Sequence, residues 1–186
     1  MEYEIRPYTE KDREAVRAIC MKTAQQMPRS ESRRLYLYQT SCDYYLDCEP
    51  ENCFVAQDDA GNVVGYVLCA ADCETYARRF KEKILPKLKE YSKLNAYFAR
   101  TDVLLLGQFA MFFPAHMRLA VLPQARRQGV ATALTDALRA HLTERRGKGI
   151  LAIVPKKSDA AKRFFTAYGF SVLREFGGGT AFGLDL

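Results

Sequence analysis

From His116 to Val154 the chain spells out a strand, a loop, a helix and a second strand. His116 to Val121 reads as a strand, and Leu122 to Gln128 is a loop rich in Pro, Gln and Arg. Val130, Leu134, Ala137, Leu138 and His141 then recur at helical spacing up to Arg146, and Gly147 and Gly149 close that helix. Ile150 to Val154 is an unbroken apolar run, the pattern of a strand covered on both faces. Such a unit hides its apolar helix stripe by laying it on a sheet, so it commits the chain to a layered α/β fold.

The flanking segments fit that plan. Tyr3 to Pro7 reads as a first strand, followed by a capping-box pattern at Thr9 to Asp12 and a helix with Ala15, Val16, Ile19, Cys20 and Thr23 on one face. Met27-Pro28 ends it. Glu31 to Asp47 is a second helical stretch, stopped by Pro50. Cys53 to Gln57 and Val63 to Ala70 form a hairpin across Asp58 to Asn62. Asp72 to Tyr91 is helical, with Pro86 expected to kink or divide it. Tyr97 to Pro114 reads as a helix followed by a buried apolar segment. Beyond Val154, Ser158 is an expected N-cap, Ala161, Phe164, Phe165 and Tyr168 form the stripe of a short helix, and Gly169 stops it. Phe170 to Phe176 and Thr180 to Asp185 are the last two strands. Residues 1–186 are thus expected to form one domain.

Composition narrows the function. The longest strongly apolar run, Val103 to Phe113, is far short of the roughly 20 residues that cross a bilayer. The N-terminus has no basic segment leading into an apolar one, so a cytoplasmic protein without a membrane partner is expected. Six cysteines occur without a C-x-x-C pair and with only His116 and His141 beside them, so free thiols and no metal site are expected. The net charge of +6 suits an anionic small ligand, and no nucleic-acid-binding signature accompanies it.

Arg126-Arg127-Gln128-Gly129-Val130-Ala131 carries the chemistry. It lies between a strand and a helix, where successive backbone N–H groups have no intrahelical partner and sit at the positive end of the dipole. Gly129 lets the backbone approach a phosphate, Ala131 keeps the first turn open, and the two arginines add charge. A solvated basic loop that merely starts a helix is the competing reading.

Together with Met117 to Pro123, this hexapeptide resembles the acetyl-CoA-binding motif of the GNAT-type N-acetyltransferases, Arg/Gln-x-x-Gly-x-Gly/Ala after an apolar-x-Pro strand end. Downstream, Ser158 to Phe170 is similar to that family's Asn-x-x-Ala-x-x-Phe-Tyr-x-x-x-Gly-Phe. Ile5-Arg6-Pro7-Tyr8 before a capped helix is a common family beginning. The stretch from Tyr44-Tyr45-Leu46-Asp47-Cys48-Glu49-Pro50 to Val64-Gly65-Tyr66-Val67-Leu68 resembles a subgroup that includes acetyltransferase-like domains attached to O-GlcNAc hydrolases.

The resemblance implies a mixed, mostly antiparallel central sheet, splayed at the cofactor strand, with helices on both faces, and makes 72–115 a variable insertion between the N-terminal hairpin and the cofactor-binding motif. It implies acetyl-CoA as cosubstrate, with pantetheine pairing with the backbone of Leu119 and Val121, Ala120 beside them in the cofactor site, and a backbone N–H near Leu119 as the oxyanion donor. Arg126, Arg127, Gln128, Gly129, Val130, Ala131 and Thr132 would hold the pyrophosphate, and Ser158 and Phe165 would contact the cofactor from the later helix. A primary amine of a small molecule or peptide would attack directly, in a monomer or homodimer.

Two positions depart from the pattern. Phe165 stands where the family usually has a Tyr that protonates the leaving thiolate, and Phe cannot donate a proton. Tyr168, three residues on, is the candidate acid, with core packing as its competing reading. Ser158 stands where the family often has Asn. His116 is the candidate base, with a structural role as its alternative. Tyr44, Tyr45 and Asp47 are the candidate acceptor-binding residues, with core tyrosines and a solvated helix end as theirs. A catalytically silent acyl-CoA-binding or regulatory module is the alternative function.

Overall fold

The computed structural model describes residues 3–186. Strand β1 (Tyr3–Pro7) leads through a short 3-10 turn into α1 (Arg13–Thr23). The turn is built by Asp12, whose carboxylate accepts from the Thr9 backbone N–H at 2.9 Å and hydroxyl at 3.0 Å. The second helical stretch is α2 (Glu31–Tyr38) and α3 (Tyr44–Cys48), joined without a break by a π-helical stretch at Gln39–Asp43. The hairpin is β2 (Phe54–Asp58) and β3 (Val63–Ala70). Then come α4 (Cys73–Arg79), a π-helical stretch at Phe80–Ile84, α5 (Leu85–Tyr91) and α6 (Lys93–Gly107). The last part is β4 (Ala115–Val121), α7 (Val130–Glu144), β5 (Gly149–Pro155), α8 (Asp159–Tyr168), β6 (Ser171–Phe176) and β7 (Gly179–Asp185).

The seven strands form one mixed sheet in the order β1-β2-β3-β4-β5-β7-β6. All neighbours are antiparallel except β4 and β5, which the α7 crossover makes parallel. Helices cover both faces. On one face Val16, Ile19, Tyr44, Tyr45, Tyr76, Phe80 and Leu151 pack together. On the other, Val67, Met117, Leu134, Leu138, Ile150, Phe165 and Phe182 do so. The fully apolar β3 and β5 lie between these cores, as their unbroken apolar patterns require.

Pro86 divides its helical stretch as expected: it falls in the first turn of α5, where its missing N–H has no intrahelical bond to lose. Three local expectations are corrected. The apolar stretch from the end of α6 onward is only partly buried: Leu104, Met111 and Phe112 are 61%, 77% and 67% exposed, while Phe109, Ala110 and Phe113 pack against the core, and α6 itself turns only Asn95, Ala96, Ala99 and Leu106 inward. The chain leaves α7 through Arg146 at φ 58°, with the Gly147 N–H donating to the Leu142 carbonyl at 2.9 Å, while Gly149 opens β5. The Ser158 hydroxyl does not cap α8; it accepts from Gln25 Nε2 at 2.8 Å.

Candidate active site

The site begins with a failure of strand pairing. β4 pairs with β3 over six residues, Gly65 opposite Val121 to Ala70 opposite His116. On its other side it pairs with β5 only at Ala115–Ile150 and His116–Leu151, then the strands part. The backbone edge of β4 from Met117 to Val121 therefore faces an opening rather than a strand. Unpaired N–H and C=O groups along such an edge are ready to pair with an extended amide-bearing ligand. Leu119 and Ala120 sit half-buried along it.

At the end of that edge lies the cradle. A short 3-10 turn at Pro123–Ala125 carries the chain from β4, and the exposed residues Arg126 to Gly129 lead into α7. Arg126 Nε donates back to the Val121 carbonyl at 3.2 Å. Gln128 is held at both ends: its Nε2 donates to the Gln124 carbonyl at 2.7 Å and its Oε1 accepts from the Tyr3 hydroxyl at 2.8 Å. Arg127 and Gly129 both adopt left-handed backbone, at φ 59° and 79°. The first bond of the helix runs from the Ala133 N–H to the Gly129 carbonyl at 2.9 Å, so the N–H groups of Val130, Ala131 and Thr132 point out of the helix start unused by it. A Cβ placed on Gly129 would meet nothing within 4 Å. Preset backbone donors, open space in front of them and a parted sheet edge alongside fit a diphosphate carrying an amide-bearing arm.

The α8 residues stand beside this opening. Phe165 is 6% exposed, its ring edge-on to Phe170 at 4.9 Å and parallel to Phe182 at 5.8 Å. Tyr168 looks toward α7, where its hydroxyl donates to Asp136 Oδ1 at 2.5 Å. Burial and that carboxylate push its pKa up to about 12. It shares a cavity of about 370 Å³ between α7 and α8 with Thr132, Asp136, Arg139, Phe164 and Ala167, so Thr132 joins the cradle to this groove.

His116 lies on the opposite face of the sheet, 3% exposed, edge-on to the Tyr76 ring at 4.3 Å. Its Nε2 lies 3.1 Å from the Tyr45 hydroxyl, and its Nδ1 has no partner. Arg118 Nε donates to the same hydroxyl at 3.3 Å, so Tyr45 bridges His116 and Arg118. Burial, then the Arg118 charge, lower the His116 pKa to about 3, and the ring is neutral at any working pH.

The three acceptor candidates do not share a surface. Tyr44 and Tyr45 are 0% exposed in the aromatic core, with the Tyr44 hydroxyl donating to Glu49 Oε1 at 3.0 Å. Asp47 reaches the surface and accepts from Arg13 Nη2 at 2.7 Å. Arg118 escaped the sequence reading. Its signal was a charged residue inside an otherwise apolar strand, on the same side as His116. Among the described residues, no cluster of three His, Cys, Asp or Glu could hold a metal, and no helix is long and apolar enough to cross a membrane.

A sheet parted beside a helix-start cradle is an arrangement able to take a phosphorylated arm along a strand edge. Residues 18–170 match the Acetyltransferase (GNAT) family, and the chain belongs to that family. No curated protein sequence matches it. Among solved structures, the crystal structure of SsHAT is 26% identical with a TM-score of 0.89, covering 100% of this chain and 98% of that one. Two others share the fold: agmatine N-acetyltransferase in its apo form, at 13% identity, TM-score 0.68 and full coverage of both chains, and PaiA N-acetyltransferase from Thermoplasma acidophilum in complex with coenzyme A, at 12%, 0.65 and full coverage of both.

Proposed function

We propose that this chain transfers the acetyl group of acetyl-CoA to a primary amine by direct attack in a ternary complex. The observation that carries the reading is the two-pair contact between β4 and β5, which leaves the edge from Met117 to Val121 free beside the Gly129 cradle. The diphosphate would lie on the N–H groups of Gln128 to Thr132, with Arg126 and Arg127 adding charge. The pantetheine amides would pair with Leu119 and Val121, with Ala120 between them in the cofactor strand, and the Leu119 N–H would meet the developing oxyanion. The Ser158 hydroxyl and the Phe165 ring would flank the arm.

The neutral amine forms an N–C bond as the C–S bond breaks, and one proton moves from nitrogen to the thiolate. His116, with its pKa near 3, contributes by fixing Tyr45 and thereby Arg118, while solvent removes the ammonium proton. Tyr168 is the phenol nearest along α8 to the Phe165 position, and Tyr168→Phe decides its part: a fall of tenfold or more in kcat makes it the donor to the thiolate. Asp47 is the acceptor-side candidate that reaches solvent. Within the family, the segments at Tyr44 to Pro50 and Val64 to Leu68 support the subgroup that includes acetyltransferase-like domains attached to O-GlcNAc hydrolases. A cytoplasmic location is part of the same reading.

The catalytically silent acyl-CoA-binding module is the second reading. Phe165 offers no proton, and the Tyr168 hydroxyl is committed to Asp136. Thiol release from acetyl-CoA against a panel of primary amines separates the two. Amine-dependent release supports the enzyme. Saturable CoA binding without release from any amine supports the module.

A further inference from the structure

Arg118 stands in the middle of β4, between His116 and Ala120, on the face turned toward α3. Its neighbours Met117 and Val121 point the other way, into the core under α7. The guanidinium therefore sits across the sheet from the α7 core, one residue from the Leu119 edge that opens on the splay. Its side chain is half-buried.

A guanidinium removed from water is costly unless a counter-charge meets it. Other arginines of this fold have one: Arg6 meets Asp12 at 2.8 Å, Arg13 meets Asp47 at 2.7 Å and Arg17 meets Asp43 at 2.9 Å. Arg118 does not. Among the described residues, no carboxylate oxygen lies within 4.0 Å of it. Its Nε is spent on the neutral Tyr45 hydroxyl, and its two terminal nitrogens make no hydrogen bond to a protein acceptor. Asp102, whose field reaches it, is engaged by the Tyr36 hydroxyl at 2.8 Å. The planar fork is thus fixed at one end by the Tyr45–His116 pair and left without a protein partner at the other. Two parallel N–H donors of that shape match a carboxylate.

We propose that Arg118 binds a carboxylate of the acceptor, so that the amine acetylated belongs to an α-amino acid or a similarly compact aminocarboxylate. The inference rests on the acetyl-transfer reading above. A carboxylate supplies the missing counter-ion beside the strand edge where the amine must arrive. A purely cationic amine leaves the fork unpaired and meets its repulsion, which makes Arg118 a determinant of specificity as well as of affinity.

The test uses CoA-saturated protein titrated with the twenty N-acetyl amino acids and with their C-terminal amides, alongside thiol release from acetyl-CoA with the corresponding free amino acids and amino acid amides. At least one carboxylate binds tenfold or more tightly than its amide. Arg118→Gln removes that preference while CoA affinity stays within twofold, and Arg118→Lys restores part of it. Equal binding of acids and amides, or no binding of either, by protein that still binds CoA overturns the carboxylate site. Carboxylate preference without thiol release from any amine keeps the Arg118 site and refutes the transfer reading. Thiol release with no preference keeps transfer and refutes the site.

Discussion

Replacing Gly129 by Glu tests the cradle at its most exposed backbone position. Two separate costs follow from the geometry. The backbone is left-handed there, at φ 79°, which an L side chain adopts at a cost of about 1–2 kcal/mol of stability. That cost falls on folding and not on ligand binding. The second cost is electrostatic. A Cβ at this position meets no atom within 4 Å, so the new side chain extends freely into the space in front of the helix N–H groups. A carboxylate held about 5 Å from a diphosphate carrying about two charges, at an intermediate dielectric near 40, is repelled by about 3 kcal/mol. That weakens CoA by roughly two orders of magnitude. Gly129→Gln carries the same bulk and backbone strain without the charge, and Gly129→Ala carries the strain alone. Calorimetric CoA titrations of the three variants, with urea unfolding of each, separate the terms. The expected order is parent and Ala nearly equal in affinity, Gln weaker and Glu weakest, with similar stability losses in all three. A folded Glu variant that binds CoA within threefold of the parent refutes the assignment of the diphosphate to this cradle.

His116→Ala lowers turnover more than it lowers CoA affinity, because it removes the partner that fixes Tyr45 and Arg118; equal turnover in parent and variant refutes this. The kcat profile of the parent shows no break near pH 6.5 from His116, since burial holds its pKa near 3; a break there that vanishes in His116→Ala refutes the neutral-ring reading. Asp12 is held at about 2, first by its hydrogen bonds from Arg6, below the 3.8 of an unperturbed carboxyl. Its folded pKa is depressed, so the stabilisation is present above pH 4 and is lost as pH falls through about 2. With Arg6 about a quarter exposed, the pair contributes on the order of 1–2 kcal/mol. Asp12→Asn removes that amount at pH 7 and flattens the acid limb of the stability curve; an unchanged urea midpoint at pH 7 contradicts it.

The segment from β4 to β5 was legible because each piece carries its own period or punctuation. Val130, Leu134, Ala137 and Leu138 repeat at helical spacing, and Ile150 to Val154 form a doubly covered strand. The opening between β4 and β5 was not legible from these local patterns. It depends on how far two strands stay in register, and no residue of Met117 to Val121 announces that its outer edge lacks a partner. The exposed stretch around Met111 and Phe112 misled because apolar composition normally signals burial, whereas here the small residues Ala96 and Ala99 make the contact. Ser158 has a capping residue's sequence context, yet its hydroxyl is drawn to Gln25, 133 positions away. The state of His116 was hidden for the same reason: it is set by burial, which elements distant in the chain such as the one carrying Tyr45, 71 positions away, create, and then by the Arg118 charge.

Titration of the purified chain with CoA and acetyl-CoA by calorimetry is the most direct measurement. The parted β4 edge and the Gly129 cradle predict one saturable site per chain for both ligands, with affinity falling when the 3′,5′-ADP portion is removed and only the pantetheine arm remains. The absence of any saturable heat with either ligand, in protein shown to be folded, contradicts the account at its centre.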